Sequence, residues 1–195
     1  DSSSSSLKAS TNNFKVTELA YFRNRKFEGY LEKNDSIVYN LLQNRLKSTV
    51  VSVGEGKDLI TMEVSNAKSK MTPKFEDGNF SVDIDVKIKV NITEAGKNTR
   101  ENMSDEYKNY QKNIENIVEG KIKEALEDYR SKYKSDIIGI ENLIYKKLNK
   151  EYKKIENEFK EKYLENVKTN VNVTVDFPLE GGDMVDGRSK WYTAR

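Results

Sequence analysis

The sequence contains no cysteine and no histidine in its 195 residues, and only two prolines. Without cysteine the chain has no disulfide, no thiolate nucleophile and no ligands for a zinc finger or an iron–sulfur cluster. Without histidine it lacks the commonest general base, the usual catalytic triads and most transition-metal sites. Catalysis would have to use carboxylates, lysine, tyrosine or serine alone. The sequence therefore predicts a protein that is not an enzyme and that needs no cofactor or metal.

The charges are abundant but balanced. Lysine and arginine number 34 against 32 acidic residues, for a net charge of +2, and apolar residues make up 35% of the chain. Such a balance gives no global field that would attract nucleic acid. No stretch approaches the roughly 20 apolar residues that cross a bilayer. The chain opens on Asp1 and five serines, so we expect it to be part of something longer.

The composition divides the chain into three parts. Residues 1–13 are polar and predict a flexible lead-in. Residues 14–178 hold all the periodic patterns and predict a single domain, which begins with a strand at Phe14 and Val16 and continues into the same sheet at 27–31. Residues 179–195 lose periodicity and predict an irregular tail.

The clearest pattern is a strand from Phe80 to Ile92, in which every even position is apolar and every odd position is polar. This alternation predicts one buried and one solvated face. Asp77-Gly78 is a hairpin signal, so residues 67–75 should pair back against the strand, with Pro73 at an edge. Alternation from Val167 to Phe177 predicts a closing strand.

Between these strands the apolar spacing becomes helical. Residues 101–134 predict one long amphipathic helix, in which Gly120 suggests a close approach of the sheet. Residues 135–140 interrupt the pattern, and two shorter helices follow, the second over Tyr152–Tyr163. Earlier in the chain, Asp35 or Ser36 should cap a short helix. The predicted fold is α+β: an antiparallel or mixed sheet with one long and several shorter helices packed on one face.

Three sets of residues are candidates for function. Asp83 and Asp85 share one strand face, but Lys87 and Lys89 continue the row, which favours a solvated surface over an acid–base pair. The tyrosine-rich stripe of the helices could hold a small ligand or a carbohydrate, although core packing is the more frequent use of such a stripe. A partner-binding surface is predicted at the helix break, because Ile138 and Ile140 need not both be buried by one helical face. This predicted surface comprises Ser135, Asp136, Ile138, Gly139 and Ile140.

Several segments, in order, resemble the C-terminal domain of the C subunit of bacterial spore germinant receptors, the Ger(x)C family of spore germination lipoproteins. They lie within about residues 19–177, and no single motif among them is strongly specific. They depart from the family pattern at Asn149, Tyr152 and Phe159, where proline and tryptophan are frequent. The segments are Ala20–Phe22, Phe27–Leu31, Val50-Val51, Lys74–Gly78, Asn91–Glu94, Tyr133–Ile140, Tyr145–Lys147, Tyr152 and the valine-rich closing strand.

The resemblance implies a lipoprotein subunit tethered to the outer leaflet of the spore inner membrane by an N-terminal lipid anchor outside this chain. It also implies partners, namely the nutrient-recognising A subunit and the transporter-like B subunit of the receptor. On this interpretation the domain is a non-catalytic, soluble interaction module in nutrient-triggered germination. A small-ligand or carbohydrate-binding module is the alternative.

Overall fold

A four-stranded mixed sheet forms the centre of the fold, with the spatial order β3-β4-β5-β6. The structure is a computed structural model that describes residues 19–23, 25–53, 60–95, 103–159 and 166–176. The strands are β3 (Thr49–Val53), β4 (Ile60–Glu76), β5 (Asn79–Ala95) and β6 (Lys168–Asp176). The first three pair antiparallel, whereas β6 runs parallel to β5. A parallel neighbour requires a long crossover, and the helices supply it.

The β4–β5 hairpin confirms the predicted alternation. In β5 the even positions from Phe80 to Val90 are buried, and the odd positions are half-buried or exposed. Asp77 and Gly78 both have positive φ, as a two-residue hairpin turn requires. The partner strand is longer than predicted, because β4 runs unbroken through Pro73, with register irregularities between Thr61 and Met62 and at Ser65. One face of the sheet is therefore apolar and the other is polar.

The long helix α2 (Met103–Ser131) covers the apolar face beside β6. Its 29 residues correspond to about 44 Å. The buried stripe of α2 comprises Ile114, Ile122, Ala125, Leu126 and Tyr129. Polar side chains of α2 also reach the edge of β6: Gln111 donates to the Val175 carbonyl at 2.8 Å, and Arg130 donates to the Val167 carbonyl at 2.9 Å. These bonds satisfy backbone groups that an open edge would expose.

Gly120 in α2 does not mark a close approach of the sheet. It is exposed, and a β-carbon added there would meet nothing within 4 Å. The prediction of close packing at this residue is wrong because Gly120 lies on the solvent side of the helix.

We expect Gly120→Ala to stabilise the protein by about 0.5–1 kcal/mol in urea unfolding, since alanine restricts the unfolded chain and favours the helix. A loss of stability would contradict this placement.

The shorter helices differ from their predicted bounds. Helix α1 spans Lys33–Leu42, and its N-cap is Glu32. Neither Asp35 nor Ser36 is therefore the N-cap, and both lie buried within the helix. Helix α3 spans Ile140–Lys147, and α4 spans only Asn149–Tyr152. The predicted helix over 152–163 is wrong in its described part, because turns follow Tyr152 and bring Phe159 into the core. Tyr163 lies outside the described residues.

A second, two-stranded sheet lies at the start of the described chain. Strands β1 (Ala20–Arg23) and β2 (Lys26–Tyr30) form an antiparallel hairpin. The expectation that this segment continues the main sheet is wrong, because among the described strands β1 and β2 pair with each other and not with β3–β6. Residues 1–13 and 179–195, together with Phe14 and Val16, lie outside the described residues. No helix in the described part of the chain has the length and apolarity to span a membrane.

Candidate functional site: an exposed aromatic hairpin

The β1–β2 hairpin presents three large aromatic rings to solvent. Phe22 is 60% exposed, Phe27 is 53% exposed and Tyr30 is 58% exposed. Their rings contact one another edge to face, with centroids 5.8 Å apart for Phe22–Phe27 and 5.3 Å apart for Phe27–Tyr30. We call these three residues the aromatic row. Isolated apolar side chains are ordinary on a protein surface, whereas a contiguous set of large rings marks an interaction surface.

An irregular register brings the three rings to one side. Phe22 pairs with Phe27 and Tyr21 pairs with Gly29, which leaves Glu28 as an extra residue in β2. Because side chains alternate along a regular strand, residues 27 and 30 would otherwise face opposite sides. The extra residue shifts the alternation and places them together. Gly29 has φ 153°, a conformation that favours glycine, and the Tyr21 ring lies close beside it.

The tip of the hairpin is basic. Arg23 forms an ion pair with Glu28 at 3.0 Å. Arg25 and Lys26 are exposed, and among the described residues neither forms an ion pair. The aromatic row is therefore bordered by two positive charges, a combination suited to a partner surface that is apolar at its centre and acidic at its rim.

The other side of the hairpin is fixed to the helices. The Tyr21 ring contacts the Tyr133 ring edge to face, with centroids 5.1 Å apart. The Tyr133 hydroxyl accepts a bond from the Glu32 amide at 3.0 Å and donates to the Asp35 carboxylate at 2.5 Å. The Tyr129 hydroxyl donates to the Asp35 carbonyl at 2.7 Å. These contacts, which we call the tyrosine joint (Tyr21, Glu32, Asp35, Tyr129 and Tyr133), hold the hairpin in a defined orientation.

Asp35 is the buried acidic group of the joint, with 3% of its surface exposed. Burial raises its pKa above the ordinary 3.8, and the hydrogen bond from Tyr133 opposes that rise. Asp128 and Glu32 also raise the pKa, while Lys132 lowers it. Because the folded pKa exceeds the unfolded one, the carboxylate destabilises the native state at neutral pH, and this cost disappears as the pH falls through the raised pKa.

We expect Asp35→Asn to be more stable than the wild type at pH 7, because an asparagine carbonyl still accepts the Tyr133 hydroxyl without a buried charge. The gain should shrink at acidic pH, as the pH falls through the raised pKa of Asp35 and the wild-type carboxyl takes up its proton. Urea unfolding at the two pH values measures this. An equal stability difference between the variant and the wild type at both pH values would contradict the placement of a buried charge at Asp35.

The predicted surface at the helix break is largely internal. Ile138 is 5% exposed and Ile140 is 7% exposed, so the expectation that they are not both buried is wrong. The reason is tertiary packing, because both side chains belong to the hydrophobic core. The Gln43 side chain at the end of α1 also donates to the Ile138 carbonyl at 3.1 Å, which ties the break to that helix. Ser135, Asp136 and Gly139 are half-buried.

Asp136 organises the start of α3. Its two carboxylate oxygens accept the backbone amides of Ile140, at 2.7 Å, and Glu141, at 2.8 Å. Gly139 has φ 78°, which allows the chain to turn into the helix. Burial raises the pKa of the Asp136 carboxyl, while these two amide bonds act in the opposite direction. The residue is therefore a helix cap, and a partner-binding role for the segment stays a prediction.

Asp83 and Asp85 lie on the polar face of β5, as predicted. The Asp83 carboxylate accepts the Asn170 side-chain amide at 2.8 Å and the Lys74 ammonium at 2.6 Å. These bonds lower the pKa of Asp83, with the Asn170 bond contributing most. A general acid needs a raised pKa, so the environment of Asp83 is unsuited to that role. Among the described residues no group of three or more acidic side chains could hold a metal ion.

Three tyrosines of the region that suggested a ligand site belong to the core. Tyr129, Tyr133 and Tyr152 are each 3–5% exposed. The Tyr152 hydroxyl donates to Glu141 at 2.9 Å, and burial together with this bond raises the pKa of Tyr152 to about 12. Their hydroxyls thus serve internal bonds and offer no open face to a ligand. The side chains of Tyr107 and Tyr110 lie outside the described part of the structure.

The aromatic row is absent from the sequence predictions, because its residues lie in segments that are predicted to join the main sheet. A usable signal was present: three aromatic residues within nine positions, interspersed with Arg23, Arg25 and Lys26, are an unusual content for a short hairpin. Period-two alternation did not reveal their exposure, because the extra residue at Glu28 interrupts it.

Comparison with known proteins identifies the family. The fold is similar to the crystal structure of the GerBC protein, with a TM-score of 0.68 and 19% identity over 80% of this chain and 48% of that one. The chain thus spans about half the length of that protein, and at this identity the likeness shows the fold alone. No curated protein matches. A family model described as spore germination B3/GerAC like, C-terminal, matches residues 17–177. The chain therefore belongs to the GerAC-like family of spore germination proteins, the C subunits of germinant receptors.

Proposed function

We propose that this domain is a non-catalytic interaction module of a germinant receptor, acting in nutrient-triggered germination by binding the A and B subunits at the spore inner membrane. Family membership supports the receptor context. The observation that carries the binding role is the aromatic row, which is exposed on a hairpin anchored by the tyrosine joint. A rigid set of aromatic rings loses little conformational entropy on binding, which suits a docking surface.

The proposal includes a lipid anchor that lies outside this chain and holds the subunit at the outer leaflet. This feature rests on the family resemblance. Within the proposal, any contribution of the helix break comes from the half-buried Ser135, Asp136 and Gly139, because Ile138 and Ile140 are buried. The alternative, a ligand module in the tyrosine-rich region, gains no support from tyrosines that are buried and hydrogen-bonded.

The test is co-expression of the tagged full-length C subunit with the A and B subunits of the same receptor, followed by capture in detergent. We expect both partners to be retained and spores lacking the subunit to lose the response to that nutrient. Capture of neither partner by a folded C subunit, with an unchanged nutrient response, would overturn the proposal. Circular dichroism of the isolated domain establishes that the subunit is folded.

A further inference from the structure

On the polar face of the sheet, side chains at paired positions of β4, β5 and β6 form rows across the strands. In several of these rows a charged side chain has an oppositely charged or amide partner. Asp83 shares its row with Asn170, whose side-chain amide donates to the Asp83 carboxylate, and Lys74 of β4 forms an ion pair with the same carboxylate. In the row of Lys89, the ammonium lies 3.9 Å from Asp176. In the row of Asp85, the residue across the β4–β5 pair is Lys70. Opposite charges or charge–amide pairs on neighbouring strands are the stabilising arrangement for such a surface.

The row of Lys87 departs from this arrangement because two lysines face each other directly across the strand pair. Lys68 of β4 lies directly opposite Lys87 of β5, and Thr174 of β6 is next in the row. Within the described residues neither lysine forms an ion pair. Like charges directly opposite each other on paired strands are destabilising. This row therefore contains no acidic side chain, unlike the rows of Asp83, Asp85 and Lys89.

The unbalanced row lies within a concavity of about 930 Å³ on this face. Lys68, Lys70, Lys87 and Thr174 line it, together with Asp85 and Asn172. Three cations thus face one carboxylate, and Asp85 already accepts the Asn172 amide at 3.4 Å. The hydroxyl of Thr174 and the amide of Asn66, which also lines the space, can bond to ligand hydroxyls.

We propose that this concavity binds a small hydroxylated ligand through one carboxylate or phosphate group held between Lys68 and Lys87. An ammonium is a compact donor that binds either anion as a point charge. Asp85 repels a second negative charge, so the site favours ligands with one anionic group. The site involves no residue of the aromatic row and goes beyond the proposed function, so each can fail without the other.

The test uses three probes at low ionic strength: inorganic phosphate, glucuronate and neutral glucose. Calorimetric titration should detect phosphate, glucuronate or both, and not glucose. Lys68→Gln or Lys87→Gln should weaken binding at least about tenfold. Lys168→Gln is the matched control, because this exposed lysine is on the same face but outside the concavity. Binding of phosphate alone or glucuronate alone identifies the preferred anion and supports the site.

A second measurement needs no ligand. Because Lys87→Gln removes a like-charge contact, it should raise the melting temperature by about 1–4 °C, and Lys168→Gln should not. Saturating anion should cancel this advantage, since it stabilises the wild type more than the variant. The proposal is overturned if no probe binds at millimolar concentration, if neutral glucose binds as well as the anion that binds best, or if Lys87→Gln leaves binding unchanged.

Discussion

Replacing the aromatic row with serine, as Phe22→Ser, Phe27→Ser and Tyr30→Ser together, is expected to weaken binding to the receptor subunits at least about 100-fold. Aromatic residues at the centre of an interface commonly contribute more than 1 kcal/mol each, and 1.4 kcal/mol corresponds to a tenfold change in affinity. The folded state should survive, because all three rings are more than half exposed. Surface plasmon resonance with the purified partner, together with the thermal unfolding of the variant, measures both effects.

A matched control removes an exposed apolar side chain elsewhere. Val50 of β3 is 65% exposed and lies outside the hairpin, so Val50→Ser should leave binding intact. A second variant, Arg25→Glu with Lys26→Glu, tests the acidic rim expected on the partner and should mainly slow association. If the triple variant binds as well as the wild type, the aromatic row is not the docking surface.

The largest loss of stability is expected from Phe159→Ala, at about 3–5 kcal/mol. Phe159 is fully buried, and its ring contacts Phe80 of β5 with centroids 5.6 Å apart and Tyr152 of α4 with centroids 5.1 Å apart. Its removal leaves a cavity between the sheet and the turns that follow α4. Urea unfolding followed by circular dichroism measures the change.

Phe75→Ala provides the comparison for this site. The Phe75 ring also contacts Phe80, with centroids 4.6 Å apart, but Phe75 is 39% exposed on β4. Phe75→Ala should therefore lower the free energy of unfolding by about 1 kcal/mol, because less buried apolar surface is lost and the space left behind opens to solvent. Equal losses for the two substitutions would show that Phe159 does not occupy the interior position assigned to it.

The main sheet and the long helix could be predicted because their signals are local and long. Alternation from Phe80 to Ile92 and the Asp77-Gly78 turn define the β4–β5 hairpin, and the spacing of Ile114, Ile122 and Leu126 defines α2. Each pattern follows from the geometry of one element buried on one side. The order of these elements along the chain then predicts the α+β class.

The sites could not be predicted because they depend on contacts between distant residues. Ile138 is buried by tertiary packing, and its carbonyl accepts a bond from Gln43, which lies 95 positions earlier in the chain. The concavity beside Lys87 depends on Thr174, which is far away in sequence and reaches this row only through the parallel pairing of β5 with β6. The aromatic row depends on one extra residue at Glu28. Single-sequence periodicity contains none of this information.

The parallel position of β6 also bears on how the chain folds. Asn170 and its partner Asp83 are 87 positions apart, whereas β4 and β5 meet across a two-residue turn. Loop-closure entropy therefore favours early formation of the hairpin and late docking of β6. During synthesis at the ribosome, one edge of β5 stays unpaired until the closing strand emerges, so a nascent chain stalled within α2 would be the species most prone to aggregation.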